Sequence, residues 1–199
     1  MSKPFILGLT GSIGMGKSAV AAMFREAGVP VFDADAAVHE LQGPRGALLG
    51  KIEQAFPGST TAQGVDRQKL GTAVFGDPAA LKRLEAIVHP AVGALRQKFL
   101  AEHAAAPLIV FDIPLLYEKG GPHELDAVAV VSASAAVQRA RVLARPGMSA
   151  EKFAQILGLQ VPDAEKRARA DYVLDTGASL ADTRHAVQRL VDTLTRVQK

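Results

Sequence analysis

Gly11-Ser12-Ile13-Gly14-Met15-Gly16-Lys17-Ser18 sets glycine, lysine and a hydroxyl at the spacing of a phosphate grip, fitting GxxxxGK[ST] at every fixed position. The glycines allow a tight turn in which successive backbone N–H groups face a β-phosphate, and the helix that follows adds its positive end. Lys17 is placed to reach the β- and γ-phosphates. Ser18 offers the first helical hydroxyl to Mg²⁺, a hard cation that commonly shares its oxygen ligands between protein and phosphates. A glycine-rich turn without a ligand is the alternative. Against it, the apolar run Phe5-Ile6-Leu7-Gly8-Leu9 precedes the motif and the helix-forming Ala19-Val20-Ala21-Ala22-Met23-Phe24 follows, the context that the grip requires. The chemistry expected is binding of a nucleoside triphosphate with its metal.

Carboxylates stand where two later apolar runs end. Asp33-Ala34-Asp35 follows the run Val29 to Phe32, a position that in a phosphate-loop fold lies close to the γ-phosphate. There Asp33 can orient an attacking hydroxyl and take its proton, while Asp35 suits acceptor binding or water-mediated metal contacts. Both are equally natural as helix caps, since aspartate is a favoured N-cap. Asp112 ends Leu108-Ile109-Val110-Phe111 and leads into Ile113-Pro114-Leu115-Leu116-Tyr117-Glu118, where it is expected to support the magnesium shell or to act as a structural cap. His39 and His89 are candidates to hydrogen-bond an acceptor phosphate or sugar, against an ordinary surface role. Arg139, Arg141 and Arg145 are expected on one helix, with Arg141 and Arg145 at i,i+4 on one face, able to clamp phosphates together or merely to form a solvated basic face.

These residues need a frame to hold them. Short apolar runs from Phe5 to Thr10, Val29 to Phe32, Leu108 to Phe111, Ala127 to Val131 and Tyr172 to Leu174 alternate with helical patterns and read as five buried parallel strands. The fold class expected is therefore α/β, a five-stranded parallel sheet with helices on both faces, which binds ligands beyond the carboxyl ends of its strands. About seventy residues separate the second strand from the third, far beyond a minimal crossover, so a helical subdomain is expected at about 36–104. Arg145-Pro146-Gly147-Met148-Ser149 opens a second insertion, a helical hairpin to about Ala170. The core then comprises about 1–35, 105–140 and 171–199, and Leu180, Thr183, Val187, Leu190, Leu194 and Val197 mark one closing amphipathic helix.

Composition narrows the partners. The 199 residues, 48% hydrophobic with a net charge of +3, suit one domain with insertions acting on anionic small molecules. Basic residues are scattered, so neither a nucleic-acid track nor a basic docking tail is expected. There is no cysteine for disulfides or ligation. No apolar run nears the ~20 residues of a membrane span, and the first strand begins too early for a signal peptide, so the expected location is cytoplasmic. A monomer is expected.

Taken together, the chain resembles the dephospho-CoA kinase family over nearly its whole length. The resemblance runs from Leu9-Thr10 and the phosphate loop through Asp33-Ala34-Asp35 with His39, then Leu84-Glu85-Ala86-Ile87-Val88-His89-Pro90, to Asp112 through Glu118. It continues through Gln138-Arg139-Ala140-Arg141, Arg145, Gln155-Ile156-Leu157 with Gln160, and Ala170-Asp171-Tyr172-Val173-Leu174. The resemblance implies transfer of the ATP γ-phosphoryl group to the ribose 3′-hydroxyl of dephospho-CoA, on a nucleoside-monophosphate-kinase-like core with Mg²⁺. It implies Asp33 as base, Lys17 and Arg141 on the triphosphate held by Gly11 through Ser18, and Arg145 in a mobile lid at about 141–170. Thr10, Asp33, Asp35, His39, His89, Leu115, Leu116 and Glu118 are the implied acceptor contacts, and Gly177 an ATP contact. One departure stands out: the family carries an asparagine-rich turn near the adenine where this chain reads Asp175-Thr176-Gly177. A shikimate kinase-like enzyme is the enzymatic rival, disfavoured by the long insertion. A GTPase-like switch is the other, and no Asn-Lys-x-Asp guanine motif is present.

Overall fold

Strand β1, Phe5–Thr10, is buried almost throughout and runs straight into the phosphate loop, from which helix α1, Lys17–Glu26, departs. The computed structural model describes residues 3–118, 120–121 and 124–196. After α1 come β2, Val31–Asp33, and helices α2, Ala34–Gln42, and α3, Leu49–Ala55. A short hairpin follows, β3 Thr60–Thr61 with β4 Gly64–Val65, and then α4, Arg67–Val74, and the long α5, Pro78–Glu102. The chain returns through β5, Leu108–Asp112, and β6, Ala127–Ser132, to α6, Ala135–Leu143, α7, Ala150–Gly158, and α8, Asp163–Arg169. It closes with β7, Tyr172–Asp175, and α9, Leu180–Arg196.

The large sheet has the order β2-β5-β1-β6-β7. Leu9 pairs with Asp112 on one side of β1 and with Ala129 on the other, and Val131 pairs with Leu174 beyond, all in parallel. Every residue of β5 and β6 is buried, because a parallel sheet covered on both faces must be apolar on both. On one face α1 and α9 contribute Val20, Phe24, Val187 and Leu194 to a core with Leu7, Leu9, Val110 and Val131. On the other, Leu116 and Tyr117 pack on Val128 and Val130. The α/β class and the five-stranded parallel sheet expected from the alternating apolar runs are therefore present. The strand order reverses beside β1, where such sheets place their ligands.

Two compact units emerge, residues 1–32 with 103–199, and residues 33–102. The second has its own core, in which Leu41, Leu48, Ile52, Phe56 and Leu70 pack against Leu84, Ile87, Val88 and Leu95 of α5. Its β3–β4 hairpin was not expected, since two-residue strands joined by Ala62-Gln63 lack both length and the Asn-Gly or Asp-Gly turn signature. Pro78 opens α5: Asp77 Oδ1 accepts from Ala79 N–H at 2.9 Å and Ala80 N–H at 3.0 Å, and proline suits the first helical position.

Two further expectations need correction. Arg145 does not share a helical face with Arg141, because α6 ends at Leu143 and Arg145 lies in the turn beyond, its N–H donating to Val142 O at 3.1 Å. Pro146 explains this, since a residue before proline is pushed out of the helical region. In α9, Leu180 is 69% exposed while Val191 joins the buried stripe, and Val197 lies outside the described residues.

Candidate functional site at the phosphate loop

Left-handed backbone at Gly14, φ 77°, and Gly16, φ 87°, turns the loop that carries the grip. Gly14 has no room for a side chain, and at Gly16 one would be tight. A Cβ on Gly14 would come within 2.4 Å of Val142 Cγ2, and one on Gly16 within 3.2 Å of Thr176 Oγ1. The loop is also pinned by side chains from outside it. Gln138 Nε2 donates to Ile13 O at 2.8 Å, and Ile13 N–H donates to Gln160 Oε1 at 3.1 Å. Gly16 caps α1, whose first-turn N–H groups lack acidic side-chain neighbours and carry the positive end of the helix dipole.

Lys17 Nζ lies 2.5 Å from Asp112 Oδ1, which joins the end of the grip to the end of β5. Asp112 is 3% exposed, so its charge relies on such partners. Ser18 is exposed on the first turn of α1. Thr10 Oγ1 donates to Pro114 O at 3.2 Å, tying the start of the loop to the segment after β5. Arg141 forks onto Thr176, with Nη1 3.1 Å from Oγ1 and Nη2 2.6 Å from the carbonyl oxygen. Gly177 N–H donates to Asp175 Oδ1 at 2.7 Å in the turn after β7. The residues Gly11 through Ser18, Thr10, Asp112, Arg141 and Gly177 thus gather within the sheet-bearing unit.

Segments that follow β5 carry three of the remaining candidates. Leu115 is 38% exposed, whereas Leu116 is 5% exposed and sits in the core on Val128 and Val130. Glu118 Oε1 accepts from Val161 N–H at 3.0 Å and pairs with Lys166 Nζ at 2.7 Å, and the Lys166 side chain is fully buried. Burial pushes the Glu118 carboxyl up, yet the hydrogen bonds from Lys166 and from backbone N–H groups outweigh it and hold the group below the ordinary glutamate range.

The other candidates lie in the unit of residues 33–102. Asp33 caps α2, its Oδ1 accepting from Ala36 N–H at 2.9 Å. Asp35 is exposed on the first turn of α2. His39 takes a hydrogen bond with Arg67 Nη2 and is exposed, as is His89 on α5.

The profile of the dephospho-CoA kinase family matches residues 5–182. The chain belongs to that family. A dephospho-CoA kinase of Novosphingobium aromaticivorans is 71% identical over 191 residues, covering 96% of this chain and 95% of the relative. A solved structure of a Thermus thermophilus protein shares 39% identity at a TM-score of 0.85, over 97% of this chain and 99% of the other. A dephospho-CoA kinase from Campylobacter jejuni matches at a TM-score of 0.65 and 24% identity, over 98% of this chain and all 100% of the other, a likeness of fold. As a kinase of this family the chain uses ATP and acts on a small molecule. Among the described residues no helix is long and apolar enough to cross a membrane.

The burial of two polar residues was not expected from the sequence. Thr176 reads as a turn residue and Lys166 as one cation in the charged run Asp163-Ala164-Glu165-Lys166-Arg167, yet they are 5% and 0% exposed. Lys166 falls three residues after Asp163, whose Oδ2 accepts from Ser132 Oγ at 2.7 Å on β6, so that face of α8 turns inward.

Proposed function

We propose that the chain transfers the γ-phosphoryl group of ATP to the ribose 3′-hydroxyl of dephospho-CoA, giving coenzyme A and ADP. The observation that carries this reading is the extent of the family match: residues 5–182 take in the grip, Asp33, Asp112 and Arg141 together. In the reaction the hydroxyl oxygen forms a bond to the γ-phosphorus, the bond to the bridging oxygen of ADP breaks, and the hydroxyl proton passes to the Asp33 carboxylate. Parallel topology supports that assignment, since β1 leads into the grip and β2 into Asp33 at the carboxyl edge of the sheet. Lys17 and the amides of Gly11 through Ser18 bind the β- and γ-phosphates, and Arg141 meets charge that builds on the transferring group.

The donor set fits Mg²⁺. Ser18 presents an exposed hydroxyl that the ion would take as a ligand, and Asp112, a carboxylate beside Lys17, would support the water of its shell. Among the described residues no three His, Cys, Asp or Glu side chains form a cage of their own. When bound, the ion would neutralise charge on the β- and γ-oxygens.

Residues 36–104 serve in this reading as the acceptor-binding subdomain, with Asp35, His39 and His89 as acceptor contacts, and Thr10, Leu115, Leu116 and Glu118 are further acceptor contacts. Leu116 contributes by packing. Residues 141–170 form the lid with Arg145, and its closure excludes water as a competing nucleophile. The enzyme works as a monomer in the cytoplasm, on small molecules and with neither nucleic acid nor membrane as partner. ADP release measured with dephospho-CoA, with shikimate and without acceptor tests the proposal. Turnover that depends on dephospho-CoA is expected. Shikimate-dependent turnover or acceptor-independent hydrolysis at the same rate would overturn it.

A further inference from the structure

Thr176 lies in the turn after β7 and is 5% exposed. Its backbone N–H donates to Ser132 O at 2.9 Å, fixing the turn to the end of β6. Its hydroxyl donates to Met15 O at 2.7 Å, with Ser132 O a longer alternative at 3.3 Å. A hydroxyl has one proton and two lone pairs, so the same oxygen is able to accept from Arg141 Nη1 at 3.1 Å. The Thr176 carbonyl takes Arg141 Nη2 at 2.6 Å, so both arms of the guanidinium rest on one residue. Gly16 closes the group: a Cβ there would lie 3.2 Å from Thr176 Oγ1 and 3.5 Å from Arg141 Nη1.

We propose that Thr176 is a positioning residue for phosphoryl transfer, aiming Arg141 at the triphosphate and locking that aim to the phosphate loop through Met15 O. This rests on the reading above that Arg141 acts on the triphosphate. A planar guanidinium has five N–H donors in a fixed fork, so holding one donor on each arm sets the plane and leaves the others directed elsewhere. The hydroxyl makes the arrangement depend on the loop's backbone, because the oxygen that orients Nη1 is itself held by Met15 O. Valine at this position keeps the shape and the carbonyl contact but removes both hydroxyl bonds. Arg141 then pivots on Nη2 alone, and the grip loses a buried donor at Met15 O. Misplacement of a charge-stabilising group costs turnover far more than ground-state affinity.

The test is a double-mutant cycle with ADP release as readout: Thr176→Val, Thr176→Ser, Arg141→Ala and the double Thr176→Val/Arg141→Ala. Thr176→Val is expected to lower kcat by about tenfold to a hundredfold while KM for ATP moves less than about threefold, and Thr176→Ser, which keeps the hydroxyl, to recover kcat to within about threefold. In the Arg141→Ala background Thr176→Val should cost nothing further. Losses that multiply, or an unchanged Thr176→Val, overturn the coupling while leaving Arg141 in its role. If Arg141→Ala itself turns over at the wild-type rate, the role of Arg141 falls and the inference with it. Thermal unfolding of each variant is followed in parallel, and if Thr176→Val fails to fold, Thr176→Ser against Thr176→Ala removes the same hydroxyl in a smaller side chain and carries the same criteria.

Discussion

The candidate site residues of the unit built on the sheet and those of the unit of residues 33–102 differ in burial. In the first, the groups at the phosphate loop are buried or part-buried and already engaged: Lys17 on Asp112, Arg141 on Thr176, Thr176 on Met15, Gln138 and Gln160 on Ile13. In the second, Asp35, His39 and His89 are exposed on helices around a small core centred on Ile52. The contrast teaches where each kind of recognition is built. A triphosphate needs donors fixed before it arrives, so the grip is prepaid by packing and internal hydrogen bonds. In the reading proposed above, acceptor contacts on exposed helix surfaces are ordered when the ligand binds.

Core truncation is the strongest way to break this comparison. Phe24 and Ile52 are both 0% exposed, one in each unit. Phe24→Ala should cost about 3–5 kcal/mol and Ile52→Ala about 2–5 kcal/mol by chemical denaturation. Hydrogen exchange should separate them further. Ile52→Ala is expected to strip protection from α3, α4 and α5 while β1, β5 and β6 stay protected, and Phe24→Ala to strip the strands. Equal loss of protection in both units from Ile52→Ala would mean that they open as one cooperative block.

Next in size is Asp33→Asn, which sharpens the chemical side of the contrast. Asparagine caps a helix about as well as aspartate, so the bond to Ala36 N–H survives and the fold is left alone. What disappears is a carboxylate able to take a proton. Turnover should drop about 10²-fold or more, the size of a general-base contribution, with KM for ATP nearly unchanged. A variant at the wild-type rate would remove Asp33 from the mechanism, and a matching fall in thermal stability would return it to the role of a cap.

How much of this was legible follows the same division. Strands β1, β5 and β6 are apolar up to their last residues, so they announced themselves, and the phosphate loop is a motif whose glycines have a steric reason visible at Gly14 and Gly16. The hairpin at Thr60–Val65 was illegible because strands of two residues carry no period. Arg145 was misplaced because spacing was read without the local veto of Pro146. The contacts of Thr176 and Lys166 were illegible for a different reason. Single polar side chains take their importance from partners far along the chain, Met15 and Glu118 here, and no local pattern encodes a contact of that range.

The smallest effect is expected in the pH dependence at Glu118, where the sheet-bearing unit's habit of burying engaged charges predicts a sensitivity to acid. Glu118 is held below the ordinary glutamate range in the folded chain, despite a burial that pushes it up, because Lys166 and backbone N–H groups bind its ionised form. The folded chain therefore holds the proton less tightly than the unfolded one. The stability this contributes is fully present above the unfolded value, near pH 4.3, and is lost as pH falls through the lower folded value. Glu118→Gln removes that titration and leaves the buried Lys166 without its anion, so the variant should melt lower at pH 7. The gap in Tm between wild type and Glu118→Gln should then narrow by a few degrees from pH 6 to pH 3. Other carboxylates titrate in both proteins and cancel in the difference, so a gap that stays constant over this range would mean that Lys166 does not hold Glu118 in its charged form.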